Sequence, residues 1–122
     1  ASLQLWSLEL ESGVRQQLTN FADIAYDPVW SPIANRIAFV SAASGNDELY
    51  AINADGSGLT QLTDNIWEWD KHPSWSPDGA QLVFWSNRET QRKQIWLMNA
   101  DGANVRNLSN NQFNDWDPVW VK

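Results

Sequence analysis

The sequence predicts an all-β protein built from a repeated unit of four short strands, and three observations support this fold class. Tryptophan accounts for 9 of the 122 residues, an excess that a repeated Trp-bearing motif would explain. Such a motif, Pro-x-Trp with one residue before the proline, occurs at 27–30, 72–75 and 117–120, and all five prolines belong to it and its closing turn. No segment has the i, i+3, i+4, i+7 apolar spacing of a helix.

Each repeat encodes four strands separated by turn signals. The first strand carries the motif Trp, and the second and third are rich in β-branched and aromatic residues. Asp-Gly follows the third strand at 55–56 and 101–102, which favours a hairpin into the fourth. The eleven strands that we predict are the Trp30-bearing first strand of the copy at 27–63 and the segments 4–9, 14–19, 36–41, 48–53, 59–63, 73–76, 81–86, 94–99, 105–109 and 118–121.

The central strands of the repeat are apolar on both faces. Positions 82–85 read Leu-Val-Phe-Trp and positions 95–98 read Ile-Trp-Leu-Met, with no alternation of polar residues. A strand that is buried on both faces belongs to a sheet packed between two other sheets. Four strands in a period of 45 residues, each sheet lying between its neighbours, indicate the blades of a β-propeller.

One complete repeat resembles a known family. The segments 75–79, 82–88, 95–102 and 105–109 are similar to the WD40-like propeller repeat of the TolB type. The preceding copy, 27–63, departs from it at 31–35, where Ser-Pro-Ile-Ala-Asn replaces the usual Asp-Gly turn. The resemblance implies six-bladed rings and a non-enzymatic, protein-binding platform in the bacterial cell envelope, hence an extracytoplasmic (periplasmic or secreted) location.

The chain holds just under three blades. We assign 26–64 and 71–110 to complete blades, 1–20 to the third and fourth strands of a split blade, and 117–122 to the first strand of a split blade. An open arc would expose apolar blade faces at both ends. We therefore expect two chains to join head to tail and close a six-bladed ring, the alternative being that these residues are part of a longer propeller.

Composition excludes several classes of protein. There are 15 Asp and Glu against 8 Lys and Arg, a net charge of −7, which argues against binding to nucleic acid or an anionic membrane. No run of 18 apolar residues predicts a membrane span, and residues 1–10 lack the basic start of a signal peptide. The absence of cysteine excludes disulfides and thiolate catalysis.

Signals for catalysis are poor, so we predict no enzyme, no catalytic residue, no cofactor and no metal. His72 is the single histidine. It shares its repeat position, directly before the motif proline, with Asp27 and Asp117, and these three residues are expected at one mouth of the central channel. They could bind a cation or a basic ligand there, or cap their own turns in the extended or turn conformation that precedes proline.

The loops that lead into the first strands, 20–26, 64–71 and 110–116, form the other candidate surface. Aromatic anchors rimmed by the acids Glu68, Asp70 and Asp115 suit a basic protein or peptide partner, or a sugar. The residues that we predict to bind a partner are Phe21, Tyr26, Trp67, Trp69, Phe113 and Trp116.

Alternative functions stay open at this point. They are an isolated or engineered propeller fragment that self-assembles, a sugar-binding or metal-channel propeller, and the substrate-gating domain of a peptidase. The remaining tryptophans fall in strands of the repeat and are expected to pack in the core. These are Trp30, Trp75, Trp85, Trp96 and Trp120, with Trp6 the next candidate.

Overall fold

A computed structural model describes residues 2–121 as ten strands and, within that range, no helix. The strands form one two-stranded and two four-stranded antiparallel sheets, in the orders β1-β2, β3-β4-β5-β6 and β7-β8-β9-β10. The predicted all-β fold of four-stranded units is confirmed, and residues 2–121 hold no helix able to span a membrane. The strands are β1 (Trp6–Leu8), β2 (Arg15–Gln17), β3 (Ala25–Trp30), β4 (Arg36–Ser41), β5 (Glu48–Asn53), β6 (Thr60–Gln61), β7 (Asp70–Trp75), β8 (Gln81–Ser86), β9 (Gln94–Asn99) and β10 (Arg106–Asn107).

The second and third strands of each blade are the best-formed elements. β4 pairs with β5, and β8 with β9, over six residues without a register shift. Phe39 and Phe84, at the centre of β4 and β8, are fully buried. These strands coincide with the predicted bounds because their β-branched and aromatic side chains fill both faces of the sheet.

The two faces of the first complete blade pack against different neighbours. On one face Val40 and Leu49 join a core cluster with Trp75, Phe84 and Met98 of the next blade. On the other face Ile37, Phe39, Tyr50 and Ile52 join a second cluster with Leu5 and Leu18, which flank the strands of the β1–β2 hairpin. Each sheet interface is therefore a hydrophobic core, as blades packed around an axis require.

The first strand of each complete blade carries a bulge, and β7 begins at Asp70, earlier than the predicted start at 73. The register shifts between Tyr26 and Val29 in β3 and between Lys71 and Ser74 in β7. The residue before the proline is left-handed in all three copies, with φ of 56° at Asp27, 54° at His72 and 53° at Asp117. An extended conformation before the proline is thus wrong, and at Asp27 and His72 the left-handed residue lies within the bulge.

The outer strands and the C-terminal segment are less regular than the sequence predicted. The outer strands β6 and β10 have two residues each, and residues 117–121, predicted as a first strand, form no ladder. A first strand pairs with the second strand of its own blade, and the described residues supply none for this segment. It is held instead beside β7, where the Trp120 N–H donates to Ser74 Oγ at 3.2 Å.

The expectation that Trp30 packs in the core is wrong, since 55% of the residue is exposed. Its counterpart Trp75 is buried and donates from Nε1 to the Val29 carbonyl of the preceding first strand, at 3.1 Å. No first strand precedes β3 among residues 2–121, so nothing covers Trp30 in this way. Trp6 is also exposed, and its sheet has two strands rather than four.

Candidate functional site

The three residues expected at the channel mouth lie together. His72 Nδ1 is 3.3 Å from Asp27 Oδ2 and 3.3 Å from Asp117 Oδ1. The imidazole also stacks on the Trp85 ring, with centroids 6.2 Å apart. Residues 45 positions apart meet here because they occupy the same repeat position in neighbouring copies of the motif.

The chemistry of this cluster is that of one imidazole between two carboxylates. A single nitrogen, Nδ1, faces both acids, so the three side chains do not converge on a common empty point. Across residues 2–121 no group of three His, Cys, Asp or Glu side chains is arranged to hold a metal ion. The geometry favours a polar contact that links the three repeats, and a role in ligand binding stays a prediction.

The loop face presents the predicted aromatic residues to very different extents. Trp67 is 83% exposed and Phe113 is 75% exposed, whereas Trp69 and Trp116 are about half exposed. Phe21 packs against Phe39 and Tyr50, at centroid distances of 6.2 and 5.7 Å, so its ring extends the core. The structure therefore separates outward-facing rings from rings that fill gaps between blades.

Two lysines lie between pairs of aromatic rings on this face. Lys71 Nζ is 5.8 Å from the Tyr26 ring and 5.3 Å from the Trp69 ring, and it pairs with Asp47 at 2.8 Å. Burial lowers the pKa of Lys71, but its bonds to Asp47 and Tyr26 outweigh burial and hold the pKa above its ordinary value. The contacts with Tyr26 and Asp47 join residues of different blades and were not predicted from the sequence.

The second lysine makes the same kind of contact one blade further on. Lys93 Nζ lies 4.8 Å from the Trp85 ring and 4.9 Å from the Trp116 ring. A lysine fixed over an aromatic face stabilises the ring by cation–π attraction and occupies that face. Of the predicted partner-binding tryptophans, Trp69 and Trp116 are thus already engaged by a cation of the same chain.

A hydrogen-bond clasp, which was not predicted from the sequence, recurs at the start of each loop. In each copy, a side chain at the start of the third strand, or two residues ahead of it, accepts a hydrogen bond through Oε1 from a backbone N–H of the loop. Gln4 accepts from Phe21 at 3.0 Å, Gln94 accepts from Asn111 at 2.8 Å, and Glu48 accepts from Asn65. Positions 4, 48 and 94 differ by 44 and 46, so the repeat spacing could have revealed the clasp.

Glu48 is the exception among these three residues because its side chain is an acid. It is fully buried, beside the equally buried Asp70. Burial raises the pKa of Glu48 to about 7, and the Asp70 carboxylate adds to this effect. Asp70 Oδ2 accepts from Arg88 Nη2 at 2.5 Å and from Asn65 Nδ2 at 2.6 Å, whereas Asp70 Oδ1 is buried without a hydrogen-bond partner.

Arg88 ties the β8–β9 hairpin to the Asp70 carboxylate. Arg88 follows β8, and Asp70 begins β7 at the end of the loop that carries Trp67 and Trp69. The backbone N–H of Trp69 also donates to Asn87 Oδ1 at 2.7 Å. Asn65, at the start of the loop, donates its backbone N–H to Glu48, so the loop is anchored at both ends.

Fold and surface together define an arc of four-stranded propeller blades with an aromatic and acidic loop face. The family model of the TolB beta propeller domain matches residues 2–122. The chain belongs to this family.

Similar proteins agree with this assignment. The chain is 30% identical to an uncharacterised protein of Agrobacterium fabrum over 85% of its length, and 34% identical to the Tol-Pal system protein TolB of Anaeromyxobacter dehalogenans over 96%. The crystal structure of TolB from Acinetobacter baumannii superposes with a TM-score of 0.76 at 21% identity, covering 92% of this chain and 28% of that one. The chain spans 38% and 26% of the lengths of the two relatives.

Proposed function

We propose that this chain is part of a non-enzymatic propeller scaffold that binds a protein or peptide partner of the bacterial envelope through its loop face. The observation that carries this proposal is the 83% exposure of Trp67 on a loop anchored at both ends. Large aromatic residues held rigidly at a surface are the usual anchors of protein interfaces. The name of the Anaeromyxobacter relative, a Tol-Pal system protein, supports an extracytoplasmic setting.

The charge of the surface favours a basic partner. The net charge is −7, and the loop next to Trp67 carries Glu68 and Asp64. Charge complementarity steers a partner of opposite charge to such a face and suppresses partners of the same charge. Nucleic acid and anionic membranes are disfavoured for the same reason.

A binding panel tests this proposal. The purified chain is immobilised and exposed to purified envelope proteins, with oligosaccharides as the alternative ligand class. We expect a protein partner whose affinity falls at least 10-fold for Trp67→Ala, the loss that a hot-spot aromatic typically causes. Asp117→Ala is the matched control at the channel mouth and should leave the affinity unchanged. Affinity lost only with Asp117→Ala would contradict the proposal that the loop face is the binding surface. Binding confined to oligosaccharides would contradict the proposal that the partner is a protein.

Self-assembly is a second candidate property, favoured by the exposed apolar ends of the arc. Val119 and Val121 are exposed at one end, and Leu3, Trp6 and Leu8 are exposed at the other. Apolar faces of adjacent blades bury one another in a closed ring. A second copy placed head to tail brings the two kinds of end together.

Light scattering after size exclusion tests ring closure. We expect a mass near twice 13.9 kDa, because two arcs complete the ring. Val119→Glu should shift the mass towards the monomer by placing a charge in the contact. Leu59→Glu adds the same charge near the outer strand β6 and should not. A monomer of 13.9 kDa at all concentrations would exclude the dimer.

A further inference from the structure

We propose that the pocket beside Trp67 binds a cationic side chain, arginine or lysine, presented by a partner protein. This inference rests on the proposed function of the loop face and adds the chemical group that the face recognises. The pocket has a volume of about 410 Å³ and is lined by Trp67, Glu68, Asn87, Glu89 and Gln91.

Trp67 differs from the other tryptophans of this face in having no cation over its ring. Lys71 lies over Trp69, and Lys93 lies between Trp85 and Trp116, at distances of 4.8 to 5.3 Å. Among the described residues no lysine or arginine takes such a position on Trp67, although it is the most exposed of them. The face thus repeats one contact, lysine on indole, and leaves one indole without its cation.

The acids of the pocket supply the charge that a cation needs. Glu68 and Glu89 line it, and neither is a member of any of the four ion pairs among residues 2–121. The one hydrogen bond that Glu68 accepts through its carboxylate comes from the Trp67 backbone N–H, at 3.3 Å. An indole face beside two unpaired carboxylates attracts a guanidinium or ammonium group by cation–π and charge interactions together.

The shape of the pocket favours a side chain of a larger partner over a small enclosed ligand. It lies on an exposed loop tip, between the loop that carries Trp67 and the β8–β9 hairpin. Hydrogen bonds fix the hairpin side, where Gln91 N–H donates to the Asn87 carbonyl at 3.1 Å. The backbone N–H of Trp69 donates to Asn87 Oδ1 and so joins the loop to the hairpin. A planar guanidinium stacks on an indole and still donates to carboxylates at its edge.

Nuclear magnetic resonance of the indole N–H groups tests the proposal. The probe is a capped tetra-arginine peptide, and the control probe is the isosteric tetra-citrulline peptide, which is neutral. We expect tetra-arginine to move the Trp67 signal saturably at low salt, with smaller movements at Trp69 and Trp116. Tetra-citrulline should leave the Trp67 signal in place. The Trp67 signal is assigned from its loss in Trp67→Phe.

Matched variants separate a site from general charge attraction. Glu68→Gln and Glu89→Gln should each weaken the binding of tetra-arginine about 5- to 10-fold. Glu11→Gln removes an equal charge on the β1–β2 turn and should leave the binding affinity unchanged. An unmoved Trp67 signal, an equal response to tetra-citrulline, or equal weakening by Glu11→Gln would overturn the proposal. If tetra-arginine does not bind but the affinity of a protein partner still falls for Trp67→Ala, the proposed scaffold function is supported and only the cation pocket is excluded. If tetra-arginine binds but Trp67→Ala leaves the affinity of every protein partner unchanged, the proposed scaffold function is contradicted.

Discussion

Glu48→Gln is expected to make the protein more stable at pH 8 while leaving its stability at pH 5 nearly unchanged. Glu48 is fully buried, and its pKa is raised from 4.5 to about 7 by burial and by Asp70. A group whose pKa is raised on folding stabilises the protein most below its unfolded value, and this contribution is lost as pH rises through the folded value. The free energy of unfolding should therefore fall between about pH 4.5 and 7.

The expected size of this effect is large for a small protein. Each unit of pKa difference corresponds to about 1.4 kcal/mol, so ionisation of Glu48 costs about 3.5 kcal/mol by pH 8. The amide introduced by Glu48→Gln would keep the acceptor of the clasp and add a donor. The natural precedent for such an amide is Gln94, whose Nε2 donates to the Phe113 carbonyl at 2.7 Å.

Urea denaturation at pH 5 and pH 8 measures this prediction, with differences taken between variant and wild type so that other titrating groups cancel. Gln94→Glu is the reciprocal control, because it places an acid in the matching buried clasp and should create the same pH dependence one blade further on. An unfolding free energy that changes with pH equally in wild type and Glu48→Gln would contradict this account of the clasp.

Arg88→Met should destabilise the protein by about 3 kcal/mol, because it leaves the Asp70 carboxylate buried without its cation. Asp70 has no exposed surface, and Arg88 Nη2 is the charged group that it contacts, at 2.5 Å. The guanidinium also lies over the Phe84 and Trp96 rings, at 5.4 and 5.1 Å, which a methionine still covers in part.

A double-mutant cycle separates the charge from the packing. Asp70→Asn in the Arg88→Met background should recover a large part of the lost stability, measured as the free energy of unfolding at pH 7. Asp47→Asn is the control, since it breaks the more exposed pair with Lys71 and should cost about 1 kcal/mol or less. If the double variant is no more stable than Arg88→Met, the ion pair does not carry the effect.

The repeat pattern predicted the fold and part of the candidate site. β4, β5, β8 and β9 follow from their composition, since β-branched and aromatic residues specify a strand buried on both faces. The convergence of Asp27, His72 and Asp117 followed from their equal repeat positions, which place them at the same point of neighbouring blades.

Features that depend on contacts between blades could not be predicted in this way. The contacts of Lys71 with Tyr26 and Asp47 join residues that only the assembled blades bring together. The high pKa of Glu48 arises from complete burial next to Asp70, and burial of that kind is a property of packing rather than of local sequence. Trp30 shows the opposite failure, because its repeat position indicates a core residue but its covering strand is absent from the described residues.

The most direct test of the scaffold function is the affinity of a purified envelope partner for the chain and for two variants, Trp67→Ala and Asp117→Ala. Trp67 is exposed on the anchored loop, whereas Asp117 lies in the cluster with His72, so each variant reports on one surface. We predict at least a 10-fold loss for Trp67→Ala and none for Asp117→Ala. Unchanged affinity for Trp67→Ala, with or without a loss for Asp117→Ala, would contradict the loop face as the interaction surface.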